Sequence, residues 1–417
     1  MLTTKQSKQY IIIMAGGSGT RMKSNLPKQL LDVGDIPMIV HIFNHCNTLY
    51  KDILLILSSK NKNIIIDTLV NRDFIMKIED TIYSYYNIKI HIIIQPIANG
   101  TGGAILSTKS YFNNCNPDDT CLILSADVPL ITEHTIKMLL TNIDNNKTDV
   151  VILGKDTKDN HGYGRIVMED DKFIDIVEHR DCTEEQKNIT LINTGIYAFK
   201  INKLLESLEQ INNNNSQNEY YLTDCPKIIN KNKNSIIKML QTNDYKFDET
   251  LGANTPEQLQ TLKEEYLKKF SIENIGSNIG NLTDDNLHQL VNVLEQLTDV
   301  DINDIKEIRE HIANIDKNTH IYVVKYEDKI IGTGTVLIED KIIHNFGKVA
   351  HIEDVVIDRK YRGNGLATQL INKLIDISKD HTRCYKITLD ASTDVRPFYE
   401  KIGFRHHSHS MRMDTNI

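Results

Sequence analysis

The sequence predicts an α/β protein in two parts: a larger domain on a mostly parallel sheet with helices on both faces, and a smaller αβ unit after it. Three observations carry this. From Tyr10 to about residue 268, short apolar runs alternate with helical stretches, the pattern of repeated βα units. At 417 residues the chain is too long for one core of typical size, so two or three domains follow. Around Gly276, Ser277 and Gly280 the alternation breaks, and a unit of one domain length runs from Leu282 to the end,. The expected organisation is residues 1–270, a linker over 271–281, and residues 282–417.

The strand candidates in chain order are 11–13, 53–57, 90–94, 122–124, 150–153 and 196–199, apolar runs of buried-strand length. Ligands of such sheets sit beyond the carboxyl ends of the strands. Residues 212–218 are a polar, asparagine-rich stretch expected as a solvated loop,. A helix is expected over 255–270, with Thr255 as cap, Pro256 in the first turn, and Leu259, Leu262, Tyr266 and Phe270 at helical spacing,. In the second unit, residues 347–357 read as a long strand that leads into a helix with Leu366, Leu370, Leu374 and Ile377 on one face.

A net charge of −8, with 48 Lys and Arg against 56 Asp and Glu, argues against a broad nucleic-acid surface. The six cysteines lack Cys-x-x-Cys spacing, so neither a zinc cluster nor a disulfide scaffold is expected, and a reducing compartment is. No run is long enough to span a bilayer and no leader pattern fits, which leads to the expectation of a cytoplasmic protein,. Tryptophan is absent, and the heavy use of Asn, Ile and Lys reads as coding bias.

The chemistry begins at residues 10–28, where a β-branched run ends in a glycine-dense loop followed by Arg21 and, behind Pro27, Lys28. Gly16, Gly17 and Gly19 permit positive φ and leave room for backbone N–H groups to face phosphate oxygens, with two cations to neutralise them,. A Walker loop is excluded because no Gly-Lys-Ser/Thr follows, and the dinucleotide fingerprint because Met22 stands where glycine is required,. Two further stretches follow buried runs. Gln95, Gly100 and Thr101 offer an amide and exposed N–H groups for a base edge,. Asp127 in Ser-Ala-Asp-Val-Pro-Leu, with Asn254 in Leu-Gly-Ala-Asn-Thr, supplies hard oxygens suited to Mg²⁺,.

The loop Met14-Ala15-Gly16-Gly17-Ser18-Gly19-Thr20-Arg21 with Pro27-Lys28 resembles the signature of the sugar-1-phosphate nucleotidyltransferases. The order and spacing of Gly162-Tyr163-Gly164-Arg165, Glu178-His179-Arg180-Asp181, Asn193-Thr194-Gly195 and Glu219-Tyr220-Tyr221-Leu222-Thr223 resemble the uridyltransferase domains that make UDP-N-acetylglucosamine. The resemblance implies a Rossmann-like nucleotidyltransferase domain. It gives UTP to Met14, Ala15, Gly16, Gly17, Gly19, Thr20, Gln95, Gly100 and Thr101, catalysis to Arg21 and Lys28, and Mg²⁺ to Asp127 and Asn254. It gives N-acetylglucosamine-1-phosphate to Gly164, Glu178, Asn193, Tyr221 and Thr223. The sugar phosphate would attack the α-phosphorus of UTP and release pyrophosphate. Ala98 replaces a second glutamine common in the family, so a thymidylyl- or guanylyltransferase for another sugar phosphate stays open.

In the second unit, Tyr361-Arg362-Gly363-Asn364-Gly365-Leu366-Ala367 opens a helix whose first-turn amides suit a pyrophosphate,. With the preceding strand and Phe398-Tyr399-Glu400-Lys401-Ile402-Gly403-Phe404, it resembles the GNAT α+β acetyltransferases. Within them, Leu297-Thr298, Lys341-Ile342-Ile343-His344, His351-Ile352-Glu353-Asp354 and Cys384-Tyr385-Lys386 resemble the glucosamine-6-phosphate N-acetyltransferases. That resemblance implies acetyl-CoA at Val355, Arg362, Gly363, Asn364, Gly365, Leu366 and Ala367, and catalysis by Glu353, Asp354, Asp390 and Tyr399. Glucosamine phosphate would be held by Thr298, Lys341, His344, Tyr385, Lys386 and Arg412. Asp414 stands where a basic residue is usual, and Asp394 where an asparagine is. The resemblance also implies a homodimer through this domain.

The expectation is a two-headed enzyme of UDP-N-acetylglucosamine synthesis acting on amino sugar phosphates, with UTP and acetyl-CoA as cosubstrates and no nucleic-acid or membrane partner. Glucosamine-1-phosphate stays open as the acetyl acceptor.

Overall fold

The computed structural model describes residues 7–407 apart from 18, 35, 48–51, 114, 145–146, 233, 243–246, 277–278, 299, 301–303, 327 and 363–364. The chain divides into two compact units, Met1–Tyr266 and Leu267–Ile417.

Among its described residues the first unit forms an eleven-stranded sheet. In chain order the strands are β1 Gln9–Met14, β2 Asp52–Ser58, β3 Met76–Glu79, β4 Ile82–Tyr85, β5 Ile88–Gln95, β6 Thr120–Ser125, β7 Val150–Asp156, β8 Arg165–Glu169, β9 Lys172–Val177, β10 Leu191–Lys200 and β11 Ile237–Gln241. The spine β6-β1-β2-β5 is parallel, with Ile12 opposite Leu54 on one side and Ile123 on the other. The longer helices are α1 Met38–Asn47, α2 Lys62–Asn71, α3 Thr101–Leu106, α4 Glu133–Asp144, α5 Ile201–Leu208, α6 Asp224–Asn230 and α7 Pro256–Leu267.

Alternation along β1 divides the core. Ile11 and Ile13 pack with Phe43 of α1, Leu69 of α2 and Leu139 of α4, whereas Ile12 packs with Ile105 of α3, Leu204 of α5 and Ile229 of α6. Both faces are therefore covered, and a strand buried on both faces reads as a continuous apolar run. All three isoleucines are fully buried.

Antiparallel strands extend the sheet at both ends. The hairpin β8-β9 turns at Asp170 and Asp171, which have φ of 47° and 59°, the two-residue turn that joins antiparallel strands. These half-exposed strands were not among the sequence candidates. Strand β10 runs antiparallel to β6 and β7.

The second unit holds a five-stranded sheet in the order β12 Phe270–Asn274, β13 Thr319–Tyr326, β14 Lys329–Asp340, β15 Lys348–Ile357, β16 Cys384–Thr388. All neighbours are antiparallel except β15 and β16. Helices α8 Asp284–Leu294 and α9 Ile305–Ala313 cover one face through Leu287, Leu290, Ile308 and Ile312 on Val323 and Ile330. Helix α10 Leu366–Asp380 covers the other through Leu366, Leu370 and Leu374 on Val336, Ile338, Ala350 and Ile352. Helix α11 spans Arg396–Ile402.

Two expectations change here. The helix expected over 255–270 ends at Leu267, and Phe270 lies in β12. The segment expected as a linker, 271–281, begins as strand, because Phe270 and Ile272 alternate with polar residues and pack on the second core while the backbone pairs with β13,. Thr255 does cap α7, its hydroxyl accepting from the Gln258 N–H at 3.3 Å. No helix among the described residues is long and apolar enough to cross a membrane.

Candidate active sites

In the first unit, β1, β2, β5 and β6 end side by side, and their loops are tied to each other. Ala15 N–H donates to Ile56 O at 2.9 Å, Ala126 N–H to Met14 O at 3.0 Å, and Ser59 N–H to Gln95 O at 3.3 Å. The glycine loop after β1 lies across this edge. Gly19 alone of its three candidate glycines takes the left-handed conformation, with φ of 60°, and a Cβ there would lie 3.1 Å from Lys28 Cβ. Gly16 serves close approach instead: a Cβ there would lie 2.9 Å from Gln95 Oε1. Ser18 lies outside the described residues.

Lys28 joins the two oxygens expected to hold a metal. Its Nζ contacts Asp127 Oδ2 directly and donates to Asn254 Oδ1 at 2.7 Å, although the three residues are far apart in sequence. Burial pushes the Asp127 carboxyl up, but the Lys28 ammonium and hydrogen bonds from Lys28 and Ser125 outweigh it and hold Asp127 below its ordinary range. A carboxylate and an amide oxygen already converging on one cation are a donor set that fits Mg²⁺ completed by phosphate oxygens and water. Arg21 is exposed and, among the described residues, has no ion-pair partner.

Gln95 is buried, and its Nε2 donates to Asn99 Oδ1 and Gly100 O, both at 3.2 Å. The turn it supports is zipped to the 219–223 stretch: Gly102 N–H donates to Tyr220 O at 2.8 Å, Tyr220 N–H to Asn99 O at 2.8 Å, and Leu222 N–H to Thr101 Oγ1 at 3.0 Å. Gly100, with φ of 103°, has no room for a side chain, since a Cβ would meet Tyr220 O at 2.5 Å.

That zipper carries the chain to the expected sugar pocket. Thr223 donates to Glu178 Oε1 at 3.1 Å, and Tyr221 OH to Asp181 Oδ2 at 3.3 Å. Asn193 N–H donates to Gly164 O at 2.9 Å, while its side-chain oxygen accepts from Tyr197 OH at 2.9 Å. Gly164 abuts Val177, the residue before Glu178, so both pairs share one neighbourhood. Burial, then Asp181, Asp224 and Glu219, push the Glu178 carboxyl above its ordinary value against the Thr223 hydrogen bond.

Sequence reasoning missed Gln29. It is 1 % exposed and its Nε2 donates to Ala15 O at 2.9 Å and Gly17 O at 3.1 Å, so it shapes the glycine loop from beneath. Its place beside Lys28 was the one available signal, and a lone glutamine reads as surface. Arg165, also 1 % exposed, bonds the Tyr163 carbonyl next to Gly164.

In the second unit, pleating sorts the candidates. Partners Val349 with Lys386 and His351 with Thr388, and the alternation to Glu353, put them on one face of β15 and β16, with Asp390 two residues beyond Thr388. Between Thr333 and Thr335 on β14 the register shifts, leaving one extra residue on β15. Asp354, with φ of 53°, lies in that bulge. The ladder thus opens beside Val355, one of the residues expected at acetyl-CoA. Burial first, then Asp354 and Asp390, raise the Glu353 carboxyl, with His351 opposing. The Asp354 and Asp390 charges thus both act on Glu353.

Lys341, His344, Tyr385 and Lys386 gather at the other end. The His344 and Tyr385 rings stack with centroids 4.1 Å apart, and Lys386 Nζ lies 5.9 Å from the Tyr385 centroid. Lys341 is held by Glu339. Thr298 stands apart from this group, in the turn after α8, where its neighbour Gln296 accepts from the Arg359 N–H beyond β15. Gly365 opens α10 in the left-handed conformation with no side-chain cap, leaving first-turn N–H groups to a ligand, and Arg362 Nε donates to Ile357 O at 2.8 Å. Leu366 is buried and Ala367 half-buried behind it. Tyr399 packs against Phe398 and Phe404, and burial raises its phenol. Gly363, Asn364 and Arg412 lie outside the described residues.

Comparison with known proteins gives each unit a family match. Residues 10–246 match the nucleotidyl transferase family, and residues 287–404 the acetyltransferase (GNAT) family. A probable UDP-N-acetylglucosamine pyrophosphorylase of Acanthamoeba polyphaga mimivirus is 36% identical over 263 residues, covering 63% of this chain and 97% of that protein. The bifunctional protein GlmU of Streptococcus uberis is 32% identical over 246 residues, which are 59% of this chain and 49% of that protein. The chain thus spans nearly all of the viral relative and about half the length of the bacterial one. A solved glucosamine-6-phosphate N-acetyltransferase of Arabidopsis thaliana is 31% identical, covers 35% of this chain and 99% of its own, and superposes with a TM-score of 0.32. By the match that spans its first unit, the chain belongs to the nucleotidyl transferase family, and it carries a GNAT acetyltransferase domain behind it.

Proposed function

We propose that the first unit transfers uridylate from UTP to N-acetylglucosamine-1-phosphate, releasing pyrophosphate, and that the second acetylates glucosamine-6-phosphate from acetyl-CoA. The observation that carries the first half is the convergence of Lys28, Asp127 and Asn254 below the glycine loop, joined through the 99–102 and 219–223 zipper to the Glu178, Thr223 and Asn193 group. The viral relative, whose printed description names UDP-N-acetylglucosamine, supports the choice of substrate.

In this reading Gly16, Gly17 and Gly19 give N–H groups to the triphosphate, and Lys28 and Arg21 neutralise it. Gln95 and Gly100 face the base. Asp127 and Asn254 hold Mg²⁺, which when bound adds positive charge against the developing negative charge on the phosphates. The sugar phosphate oxygen is already ionised, so the protein's task is alignment and charge neutralisation more than proton removal. Glu178 and Thr223 position the sugar, with Asn193, Gly164 and Tyr221 around it.

In the second unit, Glu353, Asp354 and Asp390 draw in the ammonium of the acceptor and take its proton, giving the neutral amine that attacks the thioester. The Val355 N–H at the bulge polarises the carbonyl. Tyr399, kept protonated by burial, donates to the leaving thiolate. Lys341 and Lys386 neutralise the sugar's phosphate, and the α10 N-terminus takes the coenzyme pyrophosphate. We propose a homodimer through this domain, which would cover the exposed Asp390.

The test is pyrophosphate release from UTP, dTTP or GTP with N-acetylglucosamine-1-phosphate, with and without Mg²⁺. Thiol release from acetyl-CoA with each glucosamine phosphate forms the second arm. UTP and the 6-phosphate are the expected substrates. Preference for another nucleotide or for the 1-phosphate would overturn the corresponding half.

A further inference from the structure

His351 is assigned no role by the reading above, yet its ring bridges side chains on both neighbouring strands of the second sheet. It lies on β15 two residues before Glu353, its side chain about one-third exposed. Its Nε2 is 3.0 Å from Glu339 Oε2 on β14, and its Nδ1 is 3.3 Å from Thr388 Oγ1 on β16. The other carboxylate oxygen of Glu339 contacts the ammonium of Lys341. One unbroken chain, Thr388 to His351 to Glu339 to Lys341, thus crosses three strands.

The carboxylate fixes the polarity at one end of the chain. A carboxylate only accepts, so Nε2 carries a hydrogen toward Glu339, while Nδ1 meets the Thr388 hydroxyl, which also lies 3.4 Å from the Ala350 carbonyl oxygen,. Glu339 is then bonded at both oxygens, by the imidazole and by the ammonium. Without the imidazole, its carboxylate would keep only Lys341, whose four-carbon stem allows many placements. Thr388 ends β16, two residues before Asp390. The ring therefore braces the phosphate-holding lysine from one side and the strand end that presents Asp390 from the other.

We propose that His351 is a positioning residue for the amino sugar phosphate: through Glu339 it sets where Lys341 meets the acceptor's phosphate, while Thr388 ties the same ring to the strand that leads into Asp390. This rests on the reading of the second unit as an acetyltransferase for such acceptors. A hydrogen-bonded ring bracing a charged group contributes in the range of bonds to charged groups, which corresponds to about a tenfold effect on acceptor binding.

The experiment is steady-state acetyl transfer by the full-length protein, with glucosamine-6-phosphate and acetyl-CoA varied separately. His351→Ala is expected to raise the KM for the sugar phosphate about tenfold, with a smaller change in kcat and an unchanged KM for acetyl-CoA, which also reports that the domain is folded. His351→Gln, whose amide can still donate to Glu339, is expected to recover most of the loss, and His351→Asn, too short to reach it, is not. Lys341→Ala combined with His351→Ala should raise the sugar KM by less than the product of the two single effects, since the Lys341 contact is shared by both. An unchanged sugar KM in His351→Ala, or effects that simply add in the double variant, would overturn the proposal while the wild type still acetylates. A wild type that acetylates neither glucosamine phosphate overturns the reading of the unit, and the proposal with it.

Discussion

At the residue scale, two carboxylates in the first unit are shifted in opposite directions, and each shift makes a prediction. Asp127 is held low by Lys28 despite its burial, so it stays ionised through mildly acid pH. Substituting either partner leaves the other's charge half-buried and uncompensated. Lys28→Ala and Asp127→Asn should each lower kcat/KM for nucleotidyl transfer at least about 100-fold, the scale of losing one charge-stabilising group, as read by pyrophosphate release. Glu178 is raised, by burial before the neighbouring carboxylates. Across the window from its unfolded value up to the raised one, the folded protein binds the proton more tightly, so stability falls as pH rises through that window and stays lower above it. Glu178→Gln is therefore expected to raise Tm at neutral pH in a thermal melt, while raising the KM for the sugar phosphate. A lowered Tm would contradict burial as the cause. The charges of these residues were legible in the chain, but the sign of each shift was not, because Lys28 reaches Asp127 and Thr223 reaches Glu178 only through the fold.

At the scale of elements, the glycine loop and the 99–102 turn depend on backbone that tolerates no side chain. Gly19→Ala would impose a left-handed conformation costing about 1–2 kcal/mol and press on Lys28, whose Cβ lies 3.1 Å from the new atom. The expected outcome is a lower midpoint in urea together with a raised KM for the nucleotide. Gly100→Ala should be worse, because the obstruction at 2.5 Å is the Tyr220 carbonyl, backbone that cannot swing aside. The loop, its cations and the strand beneath it were all legible from residues 10–28. Gln29 was not, since nothing in Pro-Lys-Gln says that the amide turns inward to hold Ala15 and Gly17. Strand β12 was hidden for a similar reason: five residues with two apolar side chains are too short to stand out, and pairing with β13 is what makes them a strand.

At the scale of the whole molecule, each of the two units carries a core and a candidate site of its own. Asp127→Asn is thus expected to cut pyrophosphate release by the same at least about 100-fold and leave acetyl transfer within about twofold, since sites in separate compact units without shared residues behave independently,. Reciprocal loss of both activities would instead reveal coupling between the units. What the chain determined by itself was the local vocabulary: the parallel spine from β-branched runs, the helix openings from glycine and capping residues, and which side chains carry charge. These follow from short-range sterics and hydrophobic periodicity, which adjacent residues suffice to set. Only the tertiary structure decided that Lys28, Asp127 and Asn254 share one point, that Thr223 answers Glu178, that β15 bulges at Asp354, and that His351 bridges three strands. Those are meetings between residues tens to hundreds of positions apart, and no local preference encodes them; they arise when burying the apolar faces brings the strand ends into register.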